Sequence, residues 1–379
     1  NVNEIIGLAN RKAEEIADIL SPEGERSKAA LTFNLERSAP LTSDDMNASN
    51  LNRSDLITSN NSRPLASISM DLDNQWSYMK THGDSGWEEF PSYFELLIPH
   101  VLDILDQINL KITFFLVGQD AVLEKNRDTL RLLTERGHEV GNHSFHHEQW
   151  LHLYPRDQIR KEILEAEEQI LRVTKQRPLG FRGPGFVWSP DLIQILIENN
   201  YLYDASTLPT YIGPLARVYY FWTSKLTKEE RNQRKSLFGS FKEGMRPVGA
   251  YCWKVDSGSS LLEIPVTTIP IVKLPFHLSY LLYLSRVSPQ LMSLYLKTAL
   301  NLCSVTRTEP SFLLHSLDFL GSDQVSQLAF FPGMDMSSEQ KTELFFEVVG
   351  TISKHFNPVS MSTHARSILK RGRAQSICP

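Results

Sequence analysis

From residue 65 onward, short apolar runs alternate with stretches of helical period. LASISMDLD (65–73) is a strand with an acidic C-terminal tip, and LKITFFLVG (110–118) is a β-branched, aromatic buried strand closed by Gly118. Between them, residues 93–108 (YFELLIPHVLDILDQI) have the period of a helix, interrupted near its start by Pro99. Residues 119–136, 155–174 and 190–200 also read as helices. GHEVGNHS (137–144), RPLGFRGPG (177–185), YLYDAS (201–206), LLEIPVT (261–267) and PSFLLHSL (310–317) read as strands running into polar turns. Repeated βα units of this kind predict an α/β fold with a parallel sheet or barrel. Such folds collect their chemistry at the C-terminal ends of the strands.

The flanks read differently. Residues 1–20 have helical spacing at Ile5, Leu8, Ala13, Ile16 and Leu20, whereas 39–64 are rich in Asn, Ser and Asp and predict a mobile linker. Residues 211–246 interleave aromatics with Lys and Arg. Residues 264–302 are strongly apolar, but Pro265, Pro270, Lys273, Pro275, Arg286 and Pro289 break them short of a spanning segment. The expected organisation is a helix and linker over 1–64, a catalytic domain over 65–358 with an insertion at about 208–260, and a basic tail over 359–379 that contains Lys370, Arg371 and Arg373.

Composition changes this picture little. The chain has 379 residues, enough for one large or two small domains. A net charge of −5 gives no global electrostatic case for nucleic-acid binding, and none is expected. Cys252, Cys303 and Cys378 are too few and too scattered for a disulfide framework and fit a reducing compartment. No secretory pattern opens the chain as given, so a cytoplasmic protein, in peripheral contact with the inner face of a membrane, is the expectation. Asn47, Asn52, Asn60 and Asn142 match the glycosylation acceptor pattern, a match common by chance.

Candidate chemistry sits at the predicted strand ends. His143 and His147 are four apart in NHSFHH, a spacing that lets two imidazoles grip one cation, although surface histidines often share it. His138, His146 and His152 read as loop or surface residues. Asp71 and Asp73, two apart on a strand, share a face. So close a pair calls for a cation or a donor between them: one carboxylate can bind a metal while the other takes a proton from water. The bland alternative is an acidic strand end capping a turn. Arg182, between turn-forming residues in FRGPG, can hold a carboxylate bidentately and keep it ionised, or serve as a surface ion-pair partner. Asp204 ends one strand. His315 ends another, either as a satisfied core histidine or as a general acid oriented by an aspartate.

Taken in order, Asp-x-Asp, His-Ser-x-x-His, Arg-x-Pro, Asp and Leu-x-His over about residues 65–320 resemble the polysaccharide deacetylase family, also called the NodB-homology or carbohydrate esterase 4 family. Met70-Asp71-Leu72-Asp73 departs from the commonest Thr-Phe-Asp-Asp-Gly form. It looks like the Asp-x-Asp variant of some peptidoglycan and lipid-linked sugar deacetylases. The resemblance implies a distorted (β/α)7-type barrel with a helical insertion before the last motif. It implies Asp73, His143 and His147 as metal ligands, Asp71 as base, Arg182 as its orienter, His315 as acid and Asp204 as the partner of His315. Leu313, Pro184 and Trp76 would line the substrate pocket. Zinc is the first expectation from two imidazoles and a carboxylate, with cobalt, nickel and manganese as alternatives. The expected substrate is an N-acylated, foremost N-acetylated, amino sugar in a bacterial cell-surface glycan or its polyprenyl-phosphate-linked precursor, and no protein partner is expected. Two rival functions remain: hydrolysis of a non-sugar amide, and a non-catalytic glycan-binding module on the same fold.

Overall fold

The computed structural model describes residues 53, 63–211, 243–255, 258–372 and 375–378. The chain divides into two compact units, residues 1–51 and 52–379, and all described residues belong to the second. The expected N-terminal helix, nearly all of the linker, the acceptor patterns at 47, 52 and 60, and most of the basic aromatic stretch lie outside the described residues.

The strands are β1 Leu65–Leu72, β2 Thr113–Leu116, β3 Glu139–Asn142, β4 Gly180–Phe181, β5 Tyr203–Asp204, β6 Tyr251–Lys254, β7 Ser260–Glu263, β8 Ser311–His315, β9 Asn357–Val359 and β10 Gln375–Ile377. They form one sheet in the order β10-β6-β7-β5-β4-β3-β2-β1-β8, with β9 also on β1. Every pairing is parallel except β6 with β7. The chain leaving β7 then meets β8. Thr267 N–H donates to the Ser311 carbonyl at 3.0 Å, and Ser311 N–H donates to Thr267 Oγ1 at 2.8 Å. This seam draws the run from β7 to β8 into a distorted barrel of seven parallel strands, the expected fold class.

Strand parity sorts the side chains. On β1, Ala66, Ile68, Met70 and Leu72 point outward into the main core beneath the surrounding helices, while Ser67, Ser69 and Asp71 take the inner face. Large and small residues alternate around the lumen. Gly141 leaves room for the Phe115 ring and Gly180 for the Tyr203 ring, since a Cβ at either position would stand within 2.5 Å of the neighbouring ring. The Phe94–Gln107 helix runs on through Pro99 and buries Leu97, Ile98, Val101, Leu102 and Leu105 against the sheet.

Two expectations are corrected. Residues 359–379 are not a basic tail. The Met361–Arg371 helix inserts Met361, Ala365 and Ile368 beside Phe115 and Tyr203, and His364 Nδ1 lies 2.9 Å from Ser67 Oγ. Apolar residues spaced by four and three make this helix a floor for the lumen, and its charges stay on the outer side. Among its described residues, the stretch expected as an insertion at 208–260 carries strand β6. The helical pair before the last motif is Leu278–Val287 followed by Pro289–Val305. Separately, His138 is buried, edge-on to Phe114, rather than on the surface, and Asn142 is fully buried, which closes it to glycosylation.

Candidate active site

The site is built on the C-terminal tip of β1. Asn74 caps the Gln75–His82 helix through its Oδ1, which accepts from Gln75 N–H, and its amide donates to Ser92 Oγ and Asp120 Oδ1. Tyr93 O–H donates to the Asp73 carbonyl. These bonds fix the backbone on both sides of Asp73, so its carboxylate stands at the lumen's upper mouth.

The β3–helix connection brings the histidines. Asn142 Nδ2 donates to the Ile163 carbonyl and to Tyr201 Oη, and its Oδ1 accepts from Ser144 N–H. Glu162 accepts the N–H groups of Phe145 and His146, each at 3.0 Å, and so clamps the loop. Ser144 and His147 take left-handed backbone conformations (φ 63° and 55°), which turn the loop tightly enough to bring His147 back over His143. His143 Nε2 lies 3.6 Å and His147 Nε2 3.0 Å from Asp73 Oδ1.

His143 Nδ1–H donates to the Arg182 carbonyl at 2.6 Å, which leaves the Nε2 lone pair facing Asp73. Burial opposes ionisation of Asp73, but His147 and His143 beside it hold its carboxyl well below the usual range. Burial pushes His143 down, toward the neutral, ligating form. A resident divalent ion fits these residues. Three donor atoms, one from each side chain, lie within 4.8 Å of one another, and Asp73 Oδ1 is buried with no hydrogen donor.

Asp71 sits beneath this group on the inner face. Arg182 Nη1 donates to Asp71 Oδ1 at 2.6 Å and to Ser69 Oγ at 3.0 Å, while its Nε donates to the Ala205 carbonyl. The guanidinium is fully buried and lies 4.2 Å from the centre of the Phe115 ring. A buried arginine with a single carboxylate partner fixes that carboxylate's position.

His315 is the in-register neighbour of Asp71 on β8, so the two side chains leave the sheet on the same face. Its partner is not Asp204. Ser279 Oγ donates to Asp318 Oδ1 at 2.7 Å, so its oxygen accepts from His315 Nδ1–H at 3.1 Å. Asp318 Oδ2 accepts His315 N–H at 2.8 Å. This relay leaves His315 Nε2 as the atom that takes up or gives a proton. Burial pushes Asp318 up and the neighbouring His315 pulls it back. Asp204 lies between Tyr203 and Ala205, whose side chains face the lumen, so its own side chain points to the outer layer. There Ser206 Oγ donates to it, and Glu263, opposite on β7, shares its surroundings.

The expected pocket residues are buried. Trp76 is 1% exposed, with its indole N–H on Asp120, and Leu313 is 0% exposed; Pro184 is buried as well. Leu313 nevertheless shares the inner face of β8 with His315, two residues below it.

Several side chains at the site went unread in the sequence. Asp318, three residues after His315 in His-Ser-Leu-Asp, was findable by that spacing. His277 lies edge-on to His315 with ring centres 5.6 Å apart, and burial holds it well below its usual range. Asp120 is pushed up to about 7 by burial. Its Oδ2 and His147 Nδ1 are both buried without a hydrogen-bond partner. Only the fold brings these two loops together.

Comparison with known proteins gives the same neighbourhood. Residues 84–203 match the family model described as polysaccharide deacetylase. That segment holds His143, His147 and Arg182, while Asp71, Asp73 and His315 flank it. The chain is 36% identical over 86 residues to a peptidoglycan-N-acetylglucosamine deacetylase of Bacillus cereus, covering 23% of this chain and 30% of that protein. It is 35% identical over 92 residues to a peptidoglycan-N-acetylmuramic acid deacetylase of Bacillus subtilis, covering 24% and 34%. The chain thus spans only 30% and 34% of these relatives' lengths. Among solved structures, a Mycobacterium smegmatis protein described as a polysaccharide deacetylase superposes with TM-score 0.51 at 18% identity, covering 84% of this chain and 95% of that one. Puue allantoinase superposes with TM-score 0.50 at 16% identity, covering 81% and 91%. At such identities the likeness establishes the fold.

Proposed function

We propose that the chain is a polysaccharide deacetylase family member and a metal-dependent hydrolase removing an N-acyl group, acetyl foremost, from an amino sugar of a cell-surface glycan or its polyprenyl-phosphate-linked precursor. One observation carries the reading. The Asp73, His143 and His147 donor atoms converge within 4.8 Å, beside an arginine-held Asp71 and a histidine in register with it.

A divalent ion held by Asp73 Oδ1 and the two Nε2 atoms, zinc foremost, would supply Lewis acidity, lowering the pKa of water towards about 7 and polarising a carbonyl. The protein's own groups divide the proton traffic. Asp71, held in place by Arg182, accepts the proton of the attacking water. His315, oriented through Ser279 by Asp318, gives a proton from Nε2 to the departing amine nitrogen. His277, held neutral by burial, adds no charge against protonation of His315.

The test uses metal-replete protein and sets release of acetate or formate from N-acetylglucosamine oligomers and lipid-linked amino sugars beside ring-opening hydrolysis of small cyclic amides. Turnover of the sugar substrates is the expected outcome. Turnover of the small amides alone would replace the substrate class, and glycan binding without release would replace catalysis by recognition.

A further inference from the structure

The helical pair Leu278–Val287 and Pro289–Val305 has an inverted surface. Its inner faces bury Leu281, Leu282, Met292 and Leu296 in the main core, as expected of surface helices. Its outer faces are apolar too. Tyr280, Tyr283 and Val287 follow one another at intervals of three and four on the first helix, and all are exposed. Leu291 and Leu294 continue the stripe just beyond the turn. Val287 is 61% and Leu294 64% exposed. Ile271, in the loop before the first helix, is 77% exposed. Tyr295 O–H donates to the Pro275 carbonyl and ties that loop to the second helix, so loop and helices make one face.

The charges on this face have one sign. Residues 264–308 contain no Asp or Glu, although the chain holds 44 acidic residues among 379. They do contain Arg286, Lys297 and Arg307, while Lys273 Nζ is turned to the carbonyls of Gly244 and Arg246. Arg286 reaches Asp335 at the edge of the patch. Exposed aliphatic side chains, tyrosines and cations without an intervening acid match the layered chemistry of a lipid headgroup region above acyl chains. A second copy of the chain fits less well, because two such faces would press like charges together, and Asp335 at the edge is already paired with Arg286. Among the described residues, no helix is long and apolar enough to cross a membrane, so the face would lie on a bilayer rather than within one.

We infer that the 271–294 face docks this protein on an anionic lipid surface. Its position matters to the site. His277 precedes the first helix, Ser279 lies in its first turn, and both touch the surroundings of His315. Docking would therefore hold the lumen's mouth close to the headgroups. The inference stands on the surface alone and needs no catalytic reading.

Co-sedimentation tests it, using the full chain without substrate. The vesicles are phosphatidylcholine alone and phosphatidylcholine with about one-third phosphatidylglycerol, at low and high salt. The protein is expected to pellet with the anionic vesicles and to be released by salt. Val287→Asp with Leu294→Asp should weaken that binding about tenfold or more, because both side chains would leave the acyl boundary. Lys297→Glu should weaken binding to the anionic vesicles alone. Unchanged melting curves and elution volumes show that the variants fold. Wild-type protein that stays in the supernatant, or variants that pellet like wild type, would overturn the inference. So would a wild-type dimer that the double variant converts to monomer, since the face would then belong to a second copy. Pelleting without acyl release would leave the surface standing while the hydrolase reading falls.

Discussion

Two pairs of buried carboxylates lie on the two faces of this sheet. Asp71 and Asp73 crown the lumen, where Arg182 and two imidazoles surround them. Asp204 and Glu263 face each other across β5 and β7 on the outer side, where Ser206, Thr207 and Trp253 supply neutral donors and no cation is bonded. The consequences are opposite. At the mouth, nearby positive charge overcomes the burial that opposes ionisation of Asp73 and keeps it low. In the outer layer, burial and mutual repulsion push Asp204 well up, and burial also raises Glu263, so the pair retains a proton. Carboxylate pairing alone does not mark a site; the charge of the partners does.

The largest break in that comparison is expected at Asp71. Asp71→Asn should lower kcat by about 10²–10⁴-fold while elemental analysis still finds the metal. Near-normal turnover would remove Asp71 from the role of base. Next comes His143→Ala, which should weaken metal affinity by more than the roughly 100-fold that loss of an outer partner costs. Chelation should lower the melting temperature of the wild type and leave this variant unmoved, because only a bound ligand stabilises the fold by mass action. An equal shift in both would refute the ligand assignment.

A smaller effect separates the two aspartates that compete for His315. Asp318→Asn should cut kcat about tenfold and move the alkaline limb of the pH profile, since it loosens the general acid. Asp204→Asn should leave both within about twofold, because its side chain meets the other face of the sheet. The reverse result would restore Asp204 to the site.

The smallest effect is on stability. With the folded acid pair raised, the folded chain holds a proton that the unfolded chain has lost above the ordinary carboxylate range. The pair's contribution is therefore complete below that range and declines as pH rises toward the folded values. Asp204→Asn removes this loss, so its stability relative to wild type should increase from pH 5 to pH 8 by about 1 kcal/mol. A difference between variant and wild type that does not change with pH would show that the pair is not strained.

The sheet and its polar tips were legible because strands buried on both faces read as continuous apolar runs ending abruptly in charged residues. The positions of Asp71, Asp73, His143, His147, Arg182 and His315 followed from those endings. Asp204 ends a strand equally well, but which face it takes depends on the Tyr203 ring entering the lumen, and that depends on the space Gly180 leaves across the sheet. No local pattern contains that contact. The Met361–Arg371 helix was hidden by its own charges, since Lys370 and Arg371 drew attention from the Met361, Ala365 and Ile368 spacing. Strand β6 is short and half-buried, and it owes its place to pairing with β7 rather than to its own composition.

The lumen's floor is synthesised after every residue of the proposed site. Until Met361–Arg371 has emerged from the ribosome, Phe115 and Tyr203 are open to water from below, however well the preceding strands have assembled. Translation that stops before residue 361 would release a chain with all its proposed metal-binding and proton-handling residues but no base plate, and such a product should be bound by chaperones or degraded rather than accumulate as a partly working enzyme.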